Sequence, residues 1–258
     1  MTIQGDRIKS VTLREVAKAT QLSVAAVSQI LGKRTHLFSP ATQKKVIRAA
    51  AKLGYRRNIS AWATRTRKFG CVGLLSSAGG EHGRIFVEMI EGIQTELSSR
   101  DMHLTLTWLP EGSATSREYM PKTLREYMVD GLLVNYFVQI PQAMIDIIRE
   151  YGIPAVWINS NWPDDCVYPD DEEATAHATR YLIGLGHRKI VYASYSWGTT
   201  QPSGHYSQEA RLGGYCSVME DAGLTSRRIE HPEYLPRCER EAFSLDWLRA
   251  PDRPTAVV

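Results

Sequence analysis

Between Thr12 and Gly54 apolar residues recur at intervals of three and four, the period of helices that bury one face. Thr12-Leu13-Arg14-Glu15 has the form of a capping box, so a helix is predicted to start there with Leu13, Val16 and Ala17 as its apolar stripe. Ser23 is a suitable N-cap for a second helix in which Val27, Ile30 and Leu31 share a face. Ser39 and Pro40 open a third helix, which is expected to carry Val46, Ile47, Ala50 and Leu53 inward and to stop at Gly54. Helices this short hold only by packing on one another, so residues 11–57 are read as one small module.

From Phe69 onward the rhythm changes to short β-branched runs alternating with amphipathic stretches. Strands are predicted at 71–75, 104–108, 131–136, 155–158, 189–193 and 255–258, and helices at 86–98, 141–151, 172–185, 209–222 and 241–248. Such alternation implies parallel sheets covered on both faces, with ligands at the carboxyl ends of the strands.

Charge separates the two regions more sharply than the net value of +3 suggests. Up to Lys68 there are 15 Lys and Arg against 2 acids, leaving 16 against 26 beyond it. A short basic module on an acidic body suits polyanion binding, because cations at phosphates release condensed counterions; a solvated basic tail would lack the apolar order described above. With Val27, Ile30 and Leu31 facing the core, the second helix presents Ala25, Ser28, Gln29 and Gly32 on its other side. Gln29 could pair with adenine in a major groove and Ala25 could meet a thymine methyl, while Ser28 and Lys33 could hold phosphates. An exposed Gln is ordinarily mere surface; its place on the second of three helices in a basic module gives it weight.

The runs Val11-Thr12-Leu13-Arg14-Glu15-Val16-Ala17, Leu22 to Leu31, Ser39-Pro40-Ala41-Thr42 and Leu53-Gly54-Tyr55 resemble the headpiece of the lactose-repressor/purine-repressor (LacI) family. In that family the residues matching Val24, Ala25 and Gln29 read bases and the one matching Ser28 holds backbone. The resemblance implies a DNA-facing set of Thr12, Ser23, Val24, Ala25, Ala26, Ser28, Gln29, Lys33, His36, Asn58, Trp62 and Arg65. Gln21 departs from the usual turn glycine, at a cost of roughly 1 kcal/mol if that position is left-handed. Residues 58–68 match the family's hinge, which wedges a leucine into the minor groove on operator DNA. Here Thr64 stands at the leucine position, Arg57 replaces the usual proline and Trp62 the usual arginine. Trp62 is large enough to act as the wedge, with Arg65, Arg67 and Lys68 on flanking phosphates, or it packs against protein instead; both readings stay open.

The resemblance continues through Phe86, Met89, Gly92-Ile93 and Leu97, Val129 to Leu133, Gly152 to Val156, Leu185 to Ile190 and Arg211-Leu212-Gly213-Gly214-Tyr215, with Asp170-Asp171 where Asp-Asn is usual. It implies an α + α/β fold: an N-terminal three-helix helix-turn-helix headpiece (11–57), a hinge (58–68), and a two-lobed periplasmic-binding-protein-like α/β domain (69–164 and 165–258). The second lobe is expected to be incomplete. The arginine matching Arg211 commonly touches effector in the family, against the alternative of an interlobe salt bridge. Asn135, Tyr136, Asn159, Asn161, Ser194, Tyr195 and Trp197 add amides, a hydroxyl and aromatic faces, so the expected effector is a saccharide. Operator DNA of near-palindromic sequence implies a homodimer.

No catalytic constellation emerges. Asp164-Asp165 and Asp170-Asp171 read as turn and cap residues, and Ser203-Gly204 lacks the nucleophile elbow. Gly79-Gly80 is neither a dinucleotide nor a Walker loop, and His177, His187, His205 and His231 have no assignable partner. Cys71, Cys166, Cys216 and Cys238 are scattered, so buried free thiols are expected and neither metal nor cofactor. With no apolar N-terminal stretch and no run long enough to span a bilayer, the chain is expected in the cytoplasm. The alternatives are a sugar-binding module without DNA function, or an inactive truncated regulator. In the family the strand at Thr255 to Val258 is followed by more of the second lobe, so the chain as given is expected to bind effector weakly and to dimerise poorly or aggregate.

Overall fold

The computed structural model describes residues 11–32, 35–77, 85–109, 121–135, 140–195, 205–231, 235–236 and 238–258. The chain divides into two compact units, Met1–Arg67 and Lys68–Val258.

In the first unit, α1 (Leu13–Thr20), α2 (Val24–Leu31) and α3 (Pro40–Leu53) pack around Val16, Ala17, Val27, Ile30, Val46 and Ala50. Each helix starts where the sequence supplies a side-chain acceptor. Thr12 accepts from the Glu15 amide while its own amide donates to Glu15 Oε2 at 2.7 Å, and Ser23 and Ser39 accept from Ala26 and Thr42. Gln21 ends α1 at φ 56°, ψ 36°, so the departure from glycine does fall on a left-handed residue. Ile47 and Leu53, expected to face inward, are 53% and 39% exposed. Val46 and Ala50 fix the buried stripe of α3, Ile47 lies about 100° around the helix from Val46, and Leu53 sits in the open last turn. A fourth helix, α4 (Ile59–Thr66), belongs to this unit, capped by Asn58 Oδ1 on the Ala61 amide at 3.1 Å.

The second unit holds two parallel sheets. The first runs β2-β1-β3-β4-β5, from β1 (Cys71–Ser77), β2 (His103–Leu109), β3 (Gly131–Asn135), β4 (Ala155–Ile158) and β5 (Cys166–Val167). It is dressed by α5 (Val87–Ser99), the short α6 (Lys122–Arg125) and α7 (Gln142–Glu150). Its core gathers Leu75, Leu109, Leu132, Val134 and Trp157 with Met144, Ile145, Ile147 and Ile148 of α7. Asp130 accepts from the Phe69 and Gly70 amides, both at 2.7 Å, and so fixes the entry to β1. The second sheet runs β7-β6-β8, from β6 (Ile190–Ser194), β7 (Arg228–Glu230) and β8 (Ala256–Val257). Helices α8 (Asp171–Gly184), α9 (Tyr206–Asp221) and α10 (Arg240–Leu248) accompany it. Tyr215 of α9 is fully buried; its hydroxyl lies 3.0 Å from the Ile190 carbonyl and accepts the Arg227 amide at 2.9 Å. β5 carries the first sheet past the lobe boundary expected at 164/165. No helix among the described residues is long and apolar enough to cross a membrane.

Candidate nucleic-acid interface and ligand cleft

The side of α2 away from its core stripe is only partly open. Val27 and Ile30 are buried, Val24 and Ala25 are exposed, and Ser28 and Gln29 are half-buried. Thr12 and Ser23 are occupied as caps at the starts of α1 and α2, where their hydroxyls stay at the surface. Ala26 is half-buried and His36 lies exposed on the single turn Thr35–Leu37; Lys33 lies outside the described residues.

Trp62 is half-buried. With Ala61 and Arg65 of α4 it lines a hollow of about 150 Å³ whose other walls are Leu13, Ser28, Leu31, Tyr55, Arg57 and Asn58. The Arg57 guanidinium lies 4.8 Å from its ring centre, a cation-π contact, and the neighbouring Ala63 is buried. In this structure, without DNA, the tryptophan therefore packs against the headpiece. Two of the three departures from the family hinge, Arg57 and Trp62, make contact with each other. Thr64 is exposed, its hydroxyl spent on the Ser60 carbonyl.

In the second unit the chain runs out from β1 to β2 and returns to β3 on the far side of β1, so the carboxyl ends of β1 and β3 form a switch point. Ser76 and Asn135 end those strands as register partners; both are buried, and Asn135 Nδ2 approaches Ser76 Oγ at 3.5 Å. Beside them opens a hollow of about 330 Å³ lined by Phe86, Met89, Asn135, Ile158, Asn159, Val167, Tyr168 and Pro169. Its volume is at the lower end for a small-molecule site, and its mixture of aromatic, aliphatic and amide groups is the usual one.

This hollow is joined to the start of α9. His205 donates from Nε2 to the Asn159 carbonyl at 2.9 Å, while its Nδ1 meets Ser207 Oγ at 2.7 Å. Burial lowers the histidine's pKa, opposed by the Asn159 carbonyl and Asp171, so the neutral ring is favoured. Tyr206 packs edge-on to Tyr168, ring centres 5.3 Å apart. Burial, then the nearby Asp171 carboxylate, raise its phenol far above the ordinary range. Arg211 Nε donates to Asp171 Oδ1 at 2.8 Å; the carboxylate is 8% exposed and the guanidinium side chain 51%.

Of the residues expected at effector, Asn135 and Asn159 are brought to one hollow. Arg211 forms an ion pair, between α8 and α9 rather than across the lobes. Tyr195 is engaged elsewhere: its hydroxyl lies 3.0 Å from Ser244 Oγ of α10, and Arg240 stands 5.3 Å from its ring centre. Asn161 is exposed, and Tyr136 and Trp197 lie outside the described residues. Sequence reasoning gave no site role to Asp171, His205, Tyr206 or Tyr168. Asp171 carried a signal, the acid in place of the family amide, but was read as a cap; the cap is Asp170, whose Oδ1 accepts the Glu173 amide at 3.0 Å.

Comparison with known proteins places these features in context. The model for periplasmic binding proteins and the sugar binding domain of the LacI family matches residues 76–238. An HTH-type transcriptional repressor PurR of Vibrio vulnificus strain CMCP6 is 28% identical over 255 residues, covering 95% of this chain and 72% of that protein. The maltose regulon regulatory protein MalI of Escherichia coli strain K12 is 27% identical over 220 residues, covering 84% and 61%. Among solved structures, a lac repressor dimer bound to operator and the anti-inducer ONPF has a TM-score of 0.69 at 19% identity, covering 96% of this chain and 73% of that one, a likeness of fold.

Proposed function

The chain belongs to the family of periplasmic binding proteins and LacI sugar-binding domains, and from that premise we propose that it is a DNA-binding transcription regulator whose grip on a near-palindromic operator is set by a saccharide held beside β3 and β4. The observation that carries the DNA half is the capped α2 with Val24, Ala25 and Gln29 on its open side, inside a unit that concentrates the chain's positive charge. Gln29 can form two hydrogen bonds with an adenine edge and Ala25 can pack a thymine methyl, while Ser28, Lys33, Asn58 and Arg65 hold phosphates. Thr12, Ser23, Ala26 and His36 complete that face. A homodimer places two copies of α2 about 34 Å apart, one turn of duplex, along one face of the operator.

Trp62 serves in this reading to hold α4 on the headpiece under Arg57. The wedge role is not needed for docking. For the effector, the hollow beneath Asn135 and Asn159 offers amides and an aromatic wall at Tyr168 and Phe86, the combination that sugar rings and hydroxyls use. Arg211 stands outside that lining and is linked to it through Asp171 and through Tyr206, which packs on Tyr168. The relatives are named as transcription regulators and not as enzymes.

Gel-shift titration against DNA upstream of the protein's own gene tests the DNA half. Gln29→Ala is expected to cost about 1–3 kcal/mol and to relax preference at one base pair per half-site. Unchanged preference at every position would exclude Gln29 as a base reader. A saccharide that alters the shift of the intact protein, and no longer does so after Asn135→Leu, supports the effector half.

A further inference from the structure

Asp171 opens α8, yet the capping duty there belongs to Asp170. A carboxylate that is nine-tenths buried needs a stronger reason, because desolvation costs several kcal/mol unless a counter-charge repays it. Arg211 is that counter-charge, through Nε to Oδ1 at 2.8 Å. Burial disfavours charge on both neighbours, lowering the pKa of His205 and raising that of Tyr206. Asp171 Oδ2 and the Tyr206 hydroxyl are both buried and face one another without a hydrogen bond of normal geometry. The terminal nitrogens of Arg211 also make no hydrogen bond among the described residues, on a side chain that is half exposed. Among the described residues, Arg211 and Asp171 thus offset one another's charge, and the exposed end of the guanidinium keeps donors to spare.

We infer that Asp171 sets the charge selectivity of the effector site, fitting it to an uncharged, hydroxyl-bearing ligand and turning away an anionic one. The inference rests on the saccharide reading above. A carboxylate or phosphate drawn to Arg211 would stand beside the Asp171 charge, and like charges at that range in a partly dry site repel by several-fold more than in water. An uncharged hydroxyl can accept from an exposed guanidinium N–H without bringing a negative charge up to Asp171, so it leaves the pair undisturbed. Asparagine at 171 would keep the shape and an acceptor for Nε but leave a full positive charge on Arg211, the arrangement suited to an anion.

The test uses the full chain and pairs of probes that differ in charge: glucose, galactose and maltose against glucuronate, galacturonate and maltobionate, by calorimetry, with thermal melts to confirm that each variant is folded. The native chain is expected to bind at least one neutral sugar ten-fold or more tightly than its acid counterpart. Asp171→Asn is expected to shift that ratio ten-fold or more toward the acid. Preference for the acid by the native chain, or an unaltered ratio in the variant, overturns the assignment while leaving the saccharide reading in place. Silence from all six probes removes the saccharide reading and this assignment with it.

Discussion

Replacing Gly214 by alanine adds one methyl group where α9 crosses α8. A Cβ there would press into the Glu172 carbonyl oxygen, well inside van der Waals contact, and would also lie 3.0 Å from Glu172 C and 3.1 Å from Ala176 N. All three are backbone atoms of α8, which cannot swing aside as a side chain can. The helices would have to part by about 1 Å to restore ordinary contact. That movement loosens the buried Tyr215, whose hydroxyl ties α9 to Ile190 and Arg227, and stretches the Arg211–Asp171 pair one turn earlier. Overpacking of this kind costs about 1–3 kcal/mol beyond the roughly 1 kcal/mol that alanine returns through helix propensity. For a unit of this size the melting midpoint should fall by about 3–10 °C. Gly213→Ala is the control: nothing lies within 4 Å of its added Cβ, so it should be neutral or stabilise by up to about 1 kcal/mol. Parallel thermal melts decide the matter, and a Gly214→Ala protein that melts with or above Gly213→Ala would refute the close-packing argument.

Other substitutions probe separate parts of the account. Tyr215→Phe should destabilise by about 1–3 kcal/mol in denaturant titration, because the buried Ile190 carbonyl and Arg227 amide lose their shared partner. Thr12→Ala should cost about 1 kcal/mol of headpiece stability by removing the α1 cap, seen as an earlier loss of helicity on heating. Trp62→Ala should weaken operator binding without changing the bend angle measured by gel phasing; a reduced bend would mean that the ring enters the minor groove after all. His205 has its pKa held below the ordinary value near 6.5, so its proton is taken up more readily by the unfolded chain. Its contribution is complete above that value and is lost as pH falls below it. The melting midpoint should therefore drop on acidification from pH 7 to pH 5, and His205→Gln should flatten that drop.

The headpiece was legible almost to the residue because capping and helical periodicity are local: Thr12, Ser23, Ser39 and Gly54 mark the boundaries by chemistry that needs no distant partner. Its errors were positions where one turn more or less decides exposure, Ile47 and Leu53. In the body the long elements were also visible, whereas α6, β5 and β7 span only two to four residues and carry too little pattern to be seen. The cleft was legible only in part. Asn135 and Asn159 could be placed at strand ends, but the link from Asn159 to His205 and from Asp171 to Arg211 joins residues 46 and 40 positions apart, and no spacing rule brings such pairs together. The same holds for Arg57 and Trp62: each was visible as a departure from the family hinge, and only the fold shows that they meet.

The claim on which most depends is that α2 reads base edges. Selection of bound duplexes from a random pool by the full chain, at a salt concentration high enough to suppress phosphate-only binding, tests it directly. The expected result is one enriched near-palindrome whose half-site changes at a single base pair when Gln29 is replaced by Ala. A pool that stays random, with retention that follows salt alone, would contradict it.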